Sequence, residues 1–168
     1  MRFEIERKFL VVHDGWKAGV IGRRRLTDGL VGQFENGKVR VRLDDERAFL
    51  TVKGERQGLG RPEFEYEIPR ADGEAMLRLV CDTCLIEKTR HRVLHGGLVW
   101  EIDVYDGALD GMILAEVELE HEAQAYAAPD WLGREVTADP RFRQSTLLRL
   151  SREAGRTVTL DEVLSAVL

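Results

Sequence analysis

The sequence predicts a mainly β fold of the α+β class: an eight-stranded antiparallel β-barrel with a charged interior, flanking helices and a helical C-terminus. Three observations carry that expectation. Period-two alternation broken by Gly, Asp and Asn runs through most of the chain up to Glu122, like charges repeat along single faces of several of those segments, and the pattern becomes helical after Pro129.

In chain order the alternation places strands over 2–11, 25–34, 38–44, 47–53, 62–69, 85–95, 98–105 and 112–122. That count suits a barrel. Glu35-Asn36-Gly37 and His95-Gly96-Gly97 read as hairpin turns because Asn and Gly tolerate positive φ, and Asp44-Asp45-Glu46 is a further polar break. Between the fifth and sixth strands, Ala71, Ala75, Met76, Leu79 and Val80 recur on a helical period, with Asp72 placed as a cap, so one helix over 70–80 interrupts the sheet. Residues 130–135 read as a short turn. Asp139-Pro140 opens a helix that Gly155 ends, and Thr159 caps another running to Leu168. With no repeat, linker or low-complexity stretch, residues 1–168 form one domain.

Composition narrows the partners. The 43% hydrophobic content supports an ordinary core, while a net charge of −5 and a pI of about 5.5 oppose duplex nucleic acid or an anionic membrane, both of which favour basic surfaces. Any bound anion therefore needs a local basic patch. Charge at the N-terminus excludes a signal peptide there, no stretch approaches a membrane span, and the two cysteines, Cys81 and Cys84, suit a reducing compartment, so a cytoplasmic protein is expected.

The faces of the strands are more specific. Residues i, i+2 and i+4 of a strand share one side, which aligns Glu4, Glu6 and Lys8, then Arg40 with Arg42, Glu63 with Glu65 and Glu67, Lys88 with Arg90, Glu101 with Asp103, and Glu116 with Glu118 and Glu120. Arg7, on the opposite side, breaks the pattern. Neighbouring like charges about 7 Å apart repel by roughly 0.6 kcal/mol in water but by about 2.4 kcal/mol at an effective dielectric of 20. A solvent face would make this cheap, yet ordinary solvent faces mix signs and neutral polar residues, and six strands here keep the signs apart. Two kinds of counterion are implied. The opposite faces carry Val39, Val41, Phe64, Tyr66, Ile102, Val104, Val117 and Leu119, which need cover, so the helices are expected outside and the charges inside. Carboxylates suit a hard cation such as Mg²⁺ or Mn²⁺, and the basic walls suit phosphate oxygens.

Glu4-Ile5-Glu6-Arg7-Lys8 resembles the ExExK signature of the CYTH domain, or triphosphate tunnel metalloenzyme, family. The ordered series that follows strengthens the likeness: Arg40-x-Arg42, Thr51-Val52-Lys53, Glu63-x-Glu65-x-Glu67, Lys88-Thr89-Arg90, Glu101-Ile102-Asp103 and Ala115 through Glu120. The resemblance runs from residue 2 to about 145 and is nearest the short bacterial branch, through Gly133 to Thr137 and Asp139-Pro140-Arg141-Phe142. It implies an eight-stranded tunnel and a metal-dependent triphosphatase, with inorganic tripolyphosphate the leading substrate. A class IV adenylate cyclase or thiamine triphosphatase is the alternative, and a non-catalytic polyphosphate- or nucleotide-binding module the third reading.

Position by position, the resemblance implies that Lys8, Arg40, Arg42, Lys53, Lys88 and Arg90 bind the triphosphate. Glu4, Glu6 and Glu118 would hold one Mg²⁺ or Mn²⁺, and Glu63, Asp103 and Glu116 a second nearer the attacking water, so that Lys8, Glu63, Asp103 and Glu116 form the catalytic set. Glu65 stands in reserve. Val31-Gly32-Gln33-Phe34 lacks the tyrosine of a Gln-Gly-Tyr-like run common in relatives, and Arg141, Arg143 and Gln144 replace their Tyr and Asn. The helix there is expected to plug one tunnel mouth and to offer Arg134 or Arg141 to substrate. The partner is thus a triphosphate-containing small molecule, with a homodimer left open.

Three other signals weigh less. Cys81 and Cys84 with His91 and His95 contain zinc-type ligands, but on one strand the two histidines stand about 13 Å apart, too far for one ion. Trp16, Trp100 and Trp131 read as core, and His13 and His121 as solvated strand-end residues. Lys38-x-Arg40-x-Arg42 suits RNA phosphates, yet no interleaved aromatics accompany it.

Overall fold

In a computed structural model, which describes residues 3–81 and 85–167, eight antiparallel strands close on themselves and a short ninth strand joins at the edge. The strands are β1 (Phe3–Val11), β2 (Val20–Phe34), β3 (Gly37–Asp44), β4 (Arg47–Gly54), β5 (Gly60–Ile68), β6 (Ile86–His95), β7 (Leu98–Asp106), β8 (Ile113–Glu118) and β9 (Leu132–Glu135). Around the barrel they run β1-β5-β4-β3-β2-β6-β7-β8 and back to β1. Helices α1 (Arg70–Leu79), α2 (Gln144–Ala154) and α3 (Leu160–Ser165) lie outside that ring in sequence order.

Turn chemistry sets the register. Gly96 and Gly97, both at positive φ (58° and 80°), join His95 to Leu98, and Asp45 at φ 47° helps join Asp44 to Arg47. Two-residue turns of this hand match the twist of the strands they connect. Closure falls to β1, whose Phe3–Ile5 pairs with β5 on one edge while Glu6–Leu10 pairs with β8 on the other. Beyond Ile5 the first edge parts from β5, and β9 takes it over at Phe9 and Val11.

The sequence expectations miss several local features. Strand β2 begins at Val20 rather than 25; Arg23, Arg24 and Arg25 hide its alternation, but residues from Val20 to Asp28 pair with β6. Residues 132–135, expected as a turn, form β9 because β1 leaves backbone groups to satisfy. Strand β8 stops at Glu118 instead of 122. Asp72 is not the cap of α1, which starts from Pro69 with no side-chain cap, and the helix expected from Asp139 splits into a 3-10 turn over Pro140–Phe142 and then α2. Gly155 ends α2 at φ +66°, and Thr159 caps α3 through a capping box with Glu162; α3 ends at Ser165, and Leu168 lies outside the described residues.

Packing outside the barrel is uneven. Trp100 is fully buried, edge-on to Trp131 at 5.5 Å and near Phe9 at 5.9 Å, and Trp16 sits on a 3-10 turn, Asp14–Gly19, that no sequence signal announced. His13 serves that turn by accepting from the Gly15 amide. Arg7, the odd charge on β1, pairs with Glu135 of β9 at 3.0 Å and lies over the Tyr126 ring, which explains a cation on an apolar side. Phe64 and Tyr66 on β5 remain 40% and 58% exposed, so the helical cover expected there is missing; α1 packs on β2, β3 and β4 instead.

Inside, each wall changes character along its length. Lys88 gives way to Ile86, Asp103 to Tyr105, Glu116 to Leu114 and Lys8 to Leu10, and these apolar residues join Val136, Phe142, Leu147, Val158 and Val163 in one buried cluster. The C-terminal helices therefore seal one end of the barrel with an ordinary core. No helix among the described residues is long and apolar enough to cross a membrane.

Gly29 shows how α1 is seated. A Cβ at that position would stand 2.6 Å from Leu77 Cδ2 and 2.7 Å from Cys81 Sγ. Gly29→Val is expected to lift α1 and cost about 1–3 kcal/mol, read as a lower thermal midpoint with the β-sheet circular dichroism kept. An unchanged midpoint would show that this close approach is dispensable.

Candidate active site

Alternation along the strands turns the charged faces inward around one cavity of about 1010 Å³. Lys8, Arg40, Arg42, Lys53, Lys88 and Arg90 all line it, as do Glu4, Glu6, Glu63, Glu65, Glu116 and Glu118. Asp103 does not. It is fully buried behind the wall. Across neighbouring strands the signs interleave: Lys8 stands opposite Glu116, Arg90 opposite Asp103, and Lys53 opposite Glu63.

Two ion-pair systems result. In the deeper one, Arg90 forks onto Asp103 at 2.6 and 2.7 Å and reaches Glu116 at 2.9 Å and Glu101, while Lys88 also binds Asp103 and Lys8 binds Glu116 at 2.7 Å. Nearer β4 and β5, Lys53 touches Glu4 at 3.1 Å and Glu63 at 2.5 Å, Arg61 bridges Glu4 at 2.8 Å and Glu6 at 3.0 Å, and Arg56 reaches Glu6 at 2.6 Å. Arg42 is forked by Asp28 at 2.6 and 2.8 Å; Arg40 stands 3.6 Å from the same carboxylate and donates to Thr51 Oγ1. Fork geometry fixes where a guanidinium points.

Protonation follows from these contacts. Burial would lower the Lys8 ammonium, but Glu116 and Glu6 raise it above the usual lysine value, so it stays charged. Burial dominates at Lys88, bringing it down to about 8 although Asp103 opposes the shift. Burial and the neighbouring Glu4 push Glu63 up to about 7, while Glu4 itself, against the pull of burial, is held low by Glu63, Lys53 and Arg61. Glu118 is raised by burial and by Glu101, Glu4 and Glu6.

Glu118 supplies the test of fit for a metal. Among the described residues it makes no ion pair, and it faces three carboxylates whose repulsion a divalent cation would relieve. Oxygen-only donors suit Mg²⁺ or Mn²⁺. Among the described residues no three acidic, His or Cys side chains converge as a ready-made metal cluster, since Glu4, Glu6, Glu63 and Glu116 are turned onto lysines and arginines. The zinc reading also finds no such cluster: His91 stacks on Trp16 at 4.9 Å, Cys81 lies against Gly29, and Cys84 is outside the described residues.

Arg61 and Asp28 of the ion-pair systems escaped the sequence reading. Arg61 lines the cavity two positions before Glu63 on the same inward face, so the alternation already marked it; Asp28, buried behind the wall, was hidden among the Gly and Leu residues of a strand with a bulge near Leu30 and Gly32. At the helical end, Arg141 is tied to Asp139 and to the Leu164 carbonyl, and Arg134 pairs with Asp139, so neither faces the cavity; Arg143 and Gln144 line it instead.

The comparisons agree with this fold. The family model described as the CYTH domain matches residues 2–154. The chain is 40% identical over 149 residues to an inorganic triphosphatase of Acetivibrio thermocellus, covering 87% of this chain and 93% of that protein. It is 37% identical over 148 residues to an inorganic triphosphatase of Nitrosomonas europaea, covering 86% and 95%. A crystal structure of the inorganic triphosphatase NE1496 superposes with a TM-score of 0.61 at 33% identity, covering 88% of this chain and 95% of that one.

Asp28 tests the ion-pair account. Burial alone would raise its carboxyl, but Arg42 and Arg40 hold it well below the usual carboxylate range. A folded-state value below the unfolded one means the stabilisation is complete above about pH 4 and is lost as pH falls from there. Asp28→Asn takes the carboxylate partner from the buried Arg42 guanidinium and is expected to cost about 3–5 kcal/mol at pH 7. Urea midpoints from pH 7 to 3 should fall less steeply in the variant; parallel curves would contradict the assignment.

Proposed function

The chain belongs to the CYTH domain family, and we propose that it is a divalent-metal-dependent hydrolase that splits inorganic tripolyphosphate into phosphate and pyrophosphate in the cytoplasm. The observation that carries this reading is the convergence of six cations and a set of carboxylates on one cavity. Relatives named inorganic triphosphatase support the choice of substrate.

Lys8, Arg40, Arg42, Lys53, Lys88 and Arg90 bind the polyanion, the arginines by forked hydrogen bonds and the lysines as point charges. Family membership implies a divalent metal; Glu4, Glu6 and Glu118 would hold one Mg²⁺ or Mn²⁺, and Glu63 and Glu116 a second, with Glu65 in reserve. Such ions, when bound, supply charge against the phosphoryl oxygens and make water a stronger nucleophile. Asp103 takes a different role from the ligand expected of it, because Lys88 and Arg90 occupy its oxygens: it positions those two cations. Their donors are thereby aimed before substrate arrives, the arrangement in which electrostatic stabilisation costs no reorganisation during reaction.

The assay offers tripolyphosphate, ATP and thiamine triphosphate in parallel with Mg²⁺ or Mn²⁺, and measures phosphate, pyrophosphate and cyclic AMP. Tripolyphosphate is expected to give phosphate and pyrophosphate, and chelation to abolish turnover. Glu4→Gln should lower turnover at least about tenfold, and Arg40→Ala should raise KM about tenfold with less effect on kcat. Cyclic AMP as the main product, or unchanged turnover in Glu4→Gln, would overturn the reading.

A further inference from the structure

In Thr51-Val52-Lys53 the scheme above gives a task only to the lysine. Thr51 is fully buried on the same face of β4 as Lys53, behind the cavity wall. The register sets it directly between Arg40 on β3 and Glu65 on β5. Its hydroxyl serves both neighbours, donating to Glu65 Oε2 at 3.0 Å and accepting from Arg40 Nη2 at 3.2 Å.

Arg40 differs from the other five cations assigned to phosphate. Lys8, Arg42, Lys53, Lys88 and Arg90 each lie within hydrogen-bonding distance of a carboxylate. Arg40 stands 3.6 Å from Asp28 and 3.6 Å from Glu65, too far for a hydrogen bond to either. Its Nε is buried and, among the described residues, has no hydrogen-bond partner. The oxygen of Glu65 that Thr51 binds is the one 3.6 Å from Arg40 Nη2, so the hydroxyl bridges a guanidinium and a carboxylate that do not meet. Without that bridge, groups this close would shut into charge-assisted hydrogen bonds of about 2.8 Å. Donors engaged in such a pair are lost to a ligand.

We infer that Thr51 is a positioning residue for the proposed reaction: its hydroxyl holds Arg40 off the Glu65 carboxylate and leaves the other guanidinium donors for phosphate. The inference deepens the proposed function and rests on it. A neutral hydroxyl suits the task, because it orients the cation without cancelling its charge. Asp28 is kept from the same collapse by Arg42, which forks onto both of its oxygens. Thr51 therefore acts on the ligand only through Arg40.

The test compares wild type with Thr51→Val, which keeps the shape and removes the hydroxyl, and Thr51→Ser, which keeps the hydroxyl. Thr51→Val is also made in an Arg40→Ala background. KM and kcat for tripolyphosphate are measured with Mg²⁺, and its dissociation constant calorimetrically without added metal. Thr51→Val is expected to raise KM and the dissociation constant about fivefold with less effect on kcat. Thr51→Ser should stay within about twofold of wild type, and Thr51→Val should add nothing once Arg40 is alanine. A loss confined to kcat, an unchanged dissociation constant, the same loss in the Arg40→Ala background, or no rescue by serine would overturn the inference. If Thr51→Val does not fold, Thr51→Ala takes its place with the same expectations. If wild type binds tripolyphosphate without hydrolysing it, the proposed activity fails while the dissociation constants still decide the role of Thr51. If wild type does not bind it, both fall.

Discussion

Charge compensation across neighbouring strands is the constraint on which the rest of this structure depends. Lys88 and Asp103 are 1% and 0% exposed, and Arg90 is only 7% exposed. Removing such groups from water costs several kcal/mol per ion, and attraction between them offsets this only when geometry is good and further hydrogen bonds complete it. The register supplies that geometry by setting Lys8 against Glu116, Arg90 against Asp103 and Lys53 against Glu63. A slip of one residue would send these side chains to the outer face and bring Trp100, Ile102 and Val117 inward. The turn at Gly96-Gly97 and the split edge of β1 therefore decide which side chains face the cavity.

An apolar filling of the same volume would be at least as stable, so a charged interior calls for a chemical reason. On the proposed function the interior ions would exchange partners: carboxylates held by lysine and arginine would pass to a divalent cation, and the released cations to phosphate. Arg42 on Asp28 and Arg90 on Asp103 are anchored by carboxylates that lie behind the wall.

The barrel and most of its lining are legible in the sequence because both follow from period-two alternation. Glu4-x-Glu6-x-Lys8 and Arg40-x-Arg42 declare their shared face whatever the packing. What alternation does not carry is the relation between strands. The separate signs of acidic and basic strands suggested separate walls, whereas β6 next to β7, and β1 next to β8, interleave them. Asp103 illustrates the consequence: its strand position is right for the interior, but its partners on β6 consume it. β9 and the 3-10 turn around Trp16 were hidden for another reason, since each answers a need of the assembled barrel, an unpaired edge or an uncovered face, that no local pattern records.

The most direct measurement is a crystal structure with tripolyphosphate and Mn²⁺, the metal located by its anomalous scattering. Convergence of the charges inside the barrel requires phosphate density among Lys8, Arg40, Arg42, Lys53, Lys88 and Arg90, with manganese beside Glu4, Glu6 and Glu118. Phosphate and metal found only on the outer surface, with the interior ion pairs intact, would contradict the account.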